Sequence, residues 1–139
     1  DMKMTLDSLC KVSLENKLEQ DIHSLSGGEK RRLSIAQVLN QNAKIFLLDE
    51  PTNHLDPLYQ YQILDTFKKL TKKNYLVIAT MHDTNLISRY ADKCLLLYGD
   101  GCWILGETDD VMSEENLSRL YGIEMQKIRK DGRTLFIAK

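Results

Sequence analysis

The chain has 139 residues, of which 42% are hydrophobic and 28% charged, and its formal net charge is −1 at pH 7. This length suits one domain with a real core, and the near-zero charge excludes a chain whose whole surface attracts nucleic acid. The three cysteines are scattered and form no C-x-x-C pair, which favours a reducing compartment over a zinc site or a disulfide framework. No apolar run approaches the ~20 residues that cross a bilayer, so we expect any work at a membrane to occur from the cytoplasmic side through a partner.

The first forty residues predict a helical region with one interruption. Residues 5–20 predict short helices, and the small residues Ser26–Gly28 break this pattern and start a helix over 28–40. These small residues suit the N-cap region, and Glu29 in the first turn complements the helix dipole.

A strand–helix–strand segment follows. Residues 44–49 and 74–80 are short apolar runs bounded by polar residues, as is typical of buried parallel strands. Between them, apolar side chains at helical spacing predict an amphipathic helix over 58–71. Charge runs at 29–32 and 68–73 are interpreted as solvated faces of the predicted helices.

The next segment predicts a helix and a hairpin. The helix spans 83–91, with Asp83 as its N-cap. A third strand spans 93–98, and the turn at 99–101 returns the chain into an antiparallel partner over 102–105.

The last segment predicts a helix and a second hairpin. Ser113 caps the helix and Gly122 ends it. The hairpin joins 124–129 and 133–138. The order of all these elements predicts an α/β fold with a mostly parallel sheet, followed by a small α+β appendage.

Two adjacent carboxylates, Asp49 and Glu50, follow the first apolar strand. Open α/β sheets bind ligands at this end of their strands. One carboxylate can hold hydrated Mg²⁺ beside a phosphate, while its neighbour points elsewhere and orients or deprotonates a water. Acidic residues are common at strand ends, but the longer segment 49–56, D-E-P-T-N-H-L-D, is far more specific.

Two further segments carry phosphate-binding chemistry. Backbone without side chains and a serine hydroxyl make Ser26–Gly28 an anion site at a helix N-terminus. An ordinary helix cap would explain Ser-Gly-Gly alone, but Leu25 before it and Glu29–Arg32 after it make the pattern far more specific. His82 follows the second strand and precedes the capped helix, where a histidine can hydrogen-bond a terminal phosphate.

These segments closely resemble the motifs of the ABC ATPase family. Residues 25–29 resemble its signature motif, 45–49 its Walker B strand and Glu50 its catalytic base. Residues 53–56 resemble its D-loop, and His82 resembles its switch histidine. The order and intervals of the motifs also fit, so the resemblance covers nearly the whole chain.

The resemblance implies a division of the chain into three parts. Residues 1–43 would form part of the helical subdomain with the signature and the helix that follows it. Residues 44–112 would form part of a P-loop NTPase (RecA-like) core, and 113–139 a C-terminal helix and β-hairpin appendage.

The resemblance also implies roles for individual residues. In this family two ATP molecules are sandwiched between two nucleotide-binding domains, and the signature of one domain contacts the γ-phosphate of ATP held by the other. Asp49 would hold Mg²⁺ through water, Glu50 would orient the attacking water and His82 would contact the γ-phosphate. The residues implied to bind nucleotide across the dimer or to couple its two sites are Ser26, Gly27, Gly28, Glu29 and Asp56.

The chain departs from the family in what it lacks. No segment has the pattern G-x-x-x-x-G-K-[ST] of the phosphate loop, and the adenine-stacking aromatic and the glutamine loop are missing too. We therefore expect this chain to be a C-terminal part that neither binds ATP stably nor hydrolyses it alone, because the phosphates lose their main charge compensation. The missing phosphate-loop strand would lie between 74–80 and 93–98, so we expect a gap between these two strands.

Two branches of the family share the segment 52–56. One is a soluble group that binds ribosomes, and the other comprises importer ATPases for iron-siderophores, haem and vitamin B12. Residues 81–92, the helix at 115–123 and the closing hairpin resemble the importers.

The resulting expectation is the ATP-binding subunit of an importer for a metal chelate. Its cofactors would be ATP and Mg²⁺. Its partners would be a second nucleotide-binding domain, as a homodimer, and a membrane permease, with no nucleic acid, at the cytoplasmic face of the inner membrane. Two alternatives stay open: a soluble ABC ATPase acting on ribosomes, and a half-domain that acts only as an interaction module.

Overall fold

The computed structural model describes residues 2–41 and 43–139. The helices in these ranges are α1 (Met2–Cys10), α2 (Gly27–Leu39), α3 (Pro57–Thr71), α4 (Thr84–Tyr90), α5 (Thr108–Val111) and α6 (Glu114–Tyr121). The strands are β1 (Ile45–Asp49), β2 (Leu76–Thr80), β3 (Lys93–Leu97), β4 (Trp103–Glu107), β5 (Met125–Lys130) and β6 (Arg133–Ala138). Single 3₁₀ turns at Glu15–Lys17 and Ile22–Ser24 connect α1 to α2.

The chain divides into two compact units. One contains the described residues up to Met81, and the other runs from His82 to Lys139. The division falls between β2 and α4, at neither of the boundaries expected after residues 43 and 112. The three-part division therefore stays a prediction based on the order of the motifs.

The first unit is built on the parallel pair β1–β2. Their register runs from Ile45 opposite Leu76 to Asp49 opposite Thr80, so the two strands end side by side. Since alternate residues of a strand face opposite sides, one face is buried and the other is not. The buried core unites Phe46 and Leu48 of β1 with apolar residues of the three helices: Leu9, Ile35, Ala36, Ile63 and Phe67.

The opposite face of this pair is apolar and open. Ile45 and Leu47 of β1 are 57% and 73% exposed, and Leu76 and Ile78 of β2 are 52% and 53% exposed. Strands that are apolar on both faces are typical of sheets covered on both sides. Within the described residues, this sheet is covered on one side.

The second unit contains two antiparallel hairpins, β3–β4 and β5–β6. Its core includes Met112 and Leu117, which are 1% and 0% exposed. Helix α6 ends at Gly122, whose φ of 69° is the left-handed conformation that favours glycine. The Asn85 side chain accepts from the Phe136 N–H at 2.7 Å and donates to its carbonyl at 3.3 Å, which fixes β6 to α4.

The expected α/β class is confirmed, and each predicted strand has its counterpart. The parallel part of the structure is the pair β1–β2, whereas β3 turns back directly into β4. Among the described residues, β2 pairs only with β1, and β3 only with β4. The gap expected between the strands at 74–80 and 93–98 stays a prediction, because these strands belong to different units.

Candidate functional site

The paired ends of β1 and β2 form the first part of the candidate site. The Thr80 hydroxyl donates a hydrogen bond of 2.5 Å to Asp49 Oδ1. The Glu50 N–H donates to the carbonyl and to the hydroxyl oxygen of Thr80, each at 3.1 Å. The parallel register places these groups together, so the exposed Asp49 carboxylate is oriented at the C-terminal edge of the sheet.

Glu50 follows the strand in an unusual conformation. Its φ of +44° lies in the left-handed region, which side-chain-bearing residues adopt rarely. The Asn53 side-chain amide donates to Glu50 Oε2, and the Asn53 N–H donates to the Glu50 carbonyl at 3.1 Å. The chain therefore turns at Glu50, and its partly buried carboxylate is held by the loop that follows.

Arg31 of α2 reaches the same strand end. Its Nη2 donates to the carbonyl oxygens of Asp49 and Glu50, both at 2.6 Å. The helix that begins at the signature segment is thereby connected to the strand that carries both candidate carboxylates.

The N-terminus of α2 is closed by a capping box. Ser26 Oγ accepts from the Glu29 N–H at 3.3 Å, and Glu29 Oε2 accepts from the Ser26 N–H at 2.8 Å. These Ser26 contacts, followed by the contact with Lys17 at 3.3 Å, lower the pKa of Glu29. The Ser26 O–H and the N–H groups of Gly27 and Gly28 remain as donors at the positive end of the helix.

The loop after Glu50 lies against this helix start. A Cβ added at Gly28 would lie 3.8 Å from the His54 carbonyl oxygen and 3.9 Å from Leu55 Cδ2. Asp56 is the N-cap of α3, yet its side chain makes no capping bond and is exposed. The first unit thus brings together the signature segment, the 53–56 loop and the Asp49–Glu50 strand end.

His82 is the first residue of the second unit, and its side chain is exposed. The Tyr121 hydroxyl donates to the His82 carbonyl at 3.3 Å. The next residue, Asp83, caps α4 by accepting from the N–H groups of Asn85 and Leu86 at 2.8 and 3.0 Å. The backbone on both sides of the imidazole is therefore fixed within its own unit, and partial burial raises the pKa of Tyr121.

The solvated-face interpretation of residues 29–32 was wrong for two arginines. Arg31 is partly buried at the strand end, and Arg32 is only 7% exposed, although Lys30, which precedes them, is exposed. Successive helix positions point about 100° apart, so a run of charges does not occupy one face. Lys69 in the second run, at 68–73, is exposed as expected.

Three residues that contribute contacts to the candidate site were not predicted from the sequence: Arg31, Thr80 and Tyr121. Thr80 could have been found, because it ends the second predicted strand, and the carboxyl ends of neighbouring parallel strands meet at one edge of a sheet. Arg31 lies one helical turn after Gly28, so its spacing weakly indicates that both residues lie on the same side of the predicted helix. No pattern in the sequence predicts the contact of Tyr121 with His82, because the two residues are 39 positions apart.

The described residues contain no group of three or more His, Cys, Asp or Glu side chains that could hold a metal ion. Asp49 alone fits Mg²⁺, which keeps several waters and uses one or two carboxylates beside phosphate oxygens. Its Oδ1 is fixed by Thr80, and its second oxygen can accept from a metal-bound water. No helix in the described part of the chain combines the length and the apolar character needed to cross a bilayer.

Residues 3–53 match the family model described as ABC transporter. The chain is 32% identical over 146 residues to a hemin import ATP-binding protein of Pseudomonas aeruginosa, covering 100% of this chain and 57% of the relative. It is 32% identical over 127 residues to a petrobactin import ATP-binding protein of Bacillus anthracis, covering 91% and 46%. It is 31% identical over 140 residues to a vitamin B12 import ATP-binding protein of Photobacterium profundum, covering 95% and 55%. The chain thus spans about half the length of these relatives.

Solved structures of ABC transporter proteins also match the chain. An inward-facing ABC transporter, described as of the metal-chelate type, matches with a TM-score of 0.84 and 28% identity over 99% of this chain and 56% of that one. The protein cbiO1 of Clostridium perfringens, part of the ABC transporter complex cbiONQ, matches with a TM-score of 0.66 and 28% identity over 85% and 47%.

Proposed function

We propose that this chain, a homologue of the ATP-binding proteins of ABC importers, forms the C-terminal part of such a subunit. The subunit hydrolyses ATP to ADP and phosphate and drives a membrane permease. One observation carries the proposal furthest: Asp49 ends a parallel strand, Glu50 follows it, and Arg31 connects both to a capped, glycine-bearing helix start. The first unit therefore contains both a water-activating group, Glu50, and an anion-binding group, the N-terminus of α2.

The strand end supplies the chemistry on the subunit's own nucleotide. Asp49 holds Mg²⁺ through water, and that ion compensates the charge of the phosphates when bound. Glu50 orients and polarises the attacking water. The turned backbone at Glu50 and the hydrogen bond from Asn53 to one carboxylate oxygen support this role. His82 donates a hydrogen bond to the γ-phosphate.

The signature segment serves the partner's nucleotide. In a homodimer of nucleotide-binding domains, Ser26 O–H and the N–H groups of Gly27 and Gly28 contact the γ-phosphate held by the other domain. Glu29 keeps Ser26 oriented through the capping box. Asp56, exposed and without a capping bond, couples the two sites.

The cargo class is a metal chelate such as an iron-siderophore, haem or cobalamin. The names of the relatives support this class, since they import hemin, petrobactin and vitamin B12. The further partners are permease subunits, with no nucleic acid involved, and the subunit works peripherally at the cytoplasmic face of the inner membrane.

The chain alone does not hydrolyse ATP, because it has no G-x-x-x-x-G-K-[ST] segment to hold the phosphates. The open apolar face of β1–β2, with Leu47 at 73% exposure, supports the proposal that further chain completes this domain. Phosphate release by the isolated chain at millimolar ATP, abolished by Glu50→Gln, would contradict this part.

The main test compares two matched variants of the full-length protein. Glu50→Gln keeps the size of the side chain but removes its basicity, so we expect phosphate release to fall by at least about 100-fold while ATP binding persists. Glu115→Gln makes the same change at an exposed position of α6 and should leave the rate unchanged. Equal rates for Glu50→Gln and wild type would refute the assignment of Glu50.

The alternatives make different predictions. A soluble ABC ATPase acting on ribosomes would co-sediment with ribosomes as the full-length protein, whereas an importer subunit would co-purify with a permease. Neighbours of that kind, including an archaeal ribosome recycling factor at 24% identity, share the fold alone. A gene that begins near residue 1 would favour the interaction module.

A further inference from the structure

We propose that Arg31 is a positioning residue, which holds the backbone of Glu50 in the conformation from which its carboxylate acts. The inference rests on the proposed role of Glu50 in ATP hydrolysis. It assigns to α2 a function in the subunit's own catalytic site, beyond the contact of its N-terminus with the partner's nucleotide.

The geometry of the contact is specific. Successive carbonyls of a strand point to opposite sides, so a single nitrogen atom cannot bind two consecutive carbonyls of a regular strand. Arg31 Nη2 nevertheless lies 2.6 Å from both the Asp49 and the Glu50 carbonyl oxygen. The two carbonyls converge because the backbone turns at Glu50, where φ is +44°.

The turned conformation needs support on its carbonyl side. A residue with a side chain adopts the left-handed region only when its surroundings impose it. The N–H of Glu50 is fixed by Thr80 on β2. Its carbonyl accepts from the Asn53 N–H and from the guanidinium of Arg31, and a charged donor makes the stronger hydrogen bond.

The position of Arg31 excludes an ordinary surface charge. The residue is partly buried, and its Nε is buried without a hydrogen-bond partner among the described residues. A guanidinium is removed from water at a cost, which charge-assisted bonds to two carbonyls offset. All of this hydrogen bonding runs through one terminal nitrogen, so the ammonium of a lysine could replace part of it.

The kinetic test uses the full-length protein with three variants. For Arg31→Met we expect kcat for ATP hydrolysis to fall by about 10- to 100-fold, as for a misplaced catalytic group, with KM for ATP within about twofold. Arg31→Lys should recover part of the loss. Gln37→Met, at an exposed position of the same helix, should match wild type.

A second comparison separates positioning from general damage. If Arg31 acts through Glu50, Arg31→Met should not lower the residual rate of Glu50→Gln any further. A kcat for Arg31→Met within about twofold of wild type would overturn the proposal. So would an equal loss in the lysine variant, or full additivity with Glu50→Gln.

Amide hydrogen exchange tests the contact without relying on activity. Arg31→Met should speed exchange of the Asn53 amide, whose acceptor is the Glu50 carbonyl, by about 10-fold or more, and Arg31→Lys should speed it much less. Unchanged exchange in Arg31→Met would overturn the positioning role. If wild type lacks ATPase activity, the proposed function fails, while this exchange still decides whether Arg31 holds the turn. If Arg31→Met does not fold, Arg31→Gln takes its place in both measurements.

Discussion

Replacing Arg32 by alanine should destabilise the first unit severely. Arg32 is 7% exposed, and its Nη1 donates to the carbonyls of Val12 and Ser13 at 2.8 and 2.9 Å. Its guanidinium also lies 3.8 Å from the centroid of the Tyr59 ring. One side chain thereby joins α2 both to the segment after α1 and to α3.

The size of the effect follows from these contacts. Hydrogen bonds to a charged group contribute about 1.5 kcal/mol or more each, and a partly desolvated cation–π contact contributes about 1 kcal/mol. The variant also regains the cost of burying the guanidinium, so we expect a net loss of about 3 kcal/mol in the free energy of unfolding. With a urea slope of about 2 kcal/mol/M, the midpoint of unfolding should fall by about 1.5 M.

The assay is urea unfolding followed by circular dichroism, with Gln37→Ala as an exposed control on the same helix. Arg32→Lys should lose about half as much, because a lysine keeps the charge but lacks the planar fork. Tyr59→Phe should resemble wild type, whereas Tyr59→Leu should lose the cation–π contribution. A midpoint for Arg32→Ala equal to that of Gln37→Ala would refute the reasoning.

Two further predictions concern the cap of α2 and the surface ion pair between Arg119 and Asp100. Ser26→Ala should cost about 1 kcal/mol through the lost acceptor of the Glu29 N–H, and Ser26→Thr should cost less; equal urea midpoints for Ser26→Ala and wild type would contradict this. The Arg119 guanidinium lies 2.8 Å from Asp100 and lowers the pKa of that carboxyl to about 2. The contact therefore stabilises the fold fully above the ordinary carboxyl pKa, and this stabilisation is lost as the pH falls through about 2. In a carbon-13 titration Asp100 should therefore titrate near pH 2 in wild type and nearer its ordinary value in Arg119→Gln; a wild-type midpoint near the ordinary value would rule this out.

Secondary structure was largely predictable because short-range patterns determine it. The apolar run before Asp49 became β1, and Gly122 ended α6 in the left-handed conformation. Helix α5, Thr108–Val111, was missed because four residues are too few to show a period. The same limit applies to the 3₁₀ turn at Ile22–Ser24, whereas the turn at Glu15–Lys17 lies within the short helices predicted over 5–20.

The candidate site was predictable in its parts but not in its connections. Local motifs named Asp49, Glu50 and the helix start near Ser26. The contacts of Arg31 and Arg32 depend on where distant carbonyl groups turn, and no pattern in one segment reports that. The roles of the named side chains on a nucleotide stay predictions.

The β3–β4 hairpin of the second unit has large apolar side chains that are exposed, and this has a practical consequence. Trp103, the single tryptophan of the chain, is 66% exposed there and lies directly opposite Leu97, which is 67% exposed. Indole emission shifts to shorter wavelength when water leaves the ring. The protein therefore contains its own optical reporter for whatever covers this hairpin, and no label needs to be introduced.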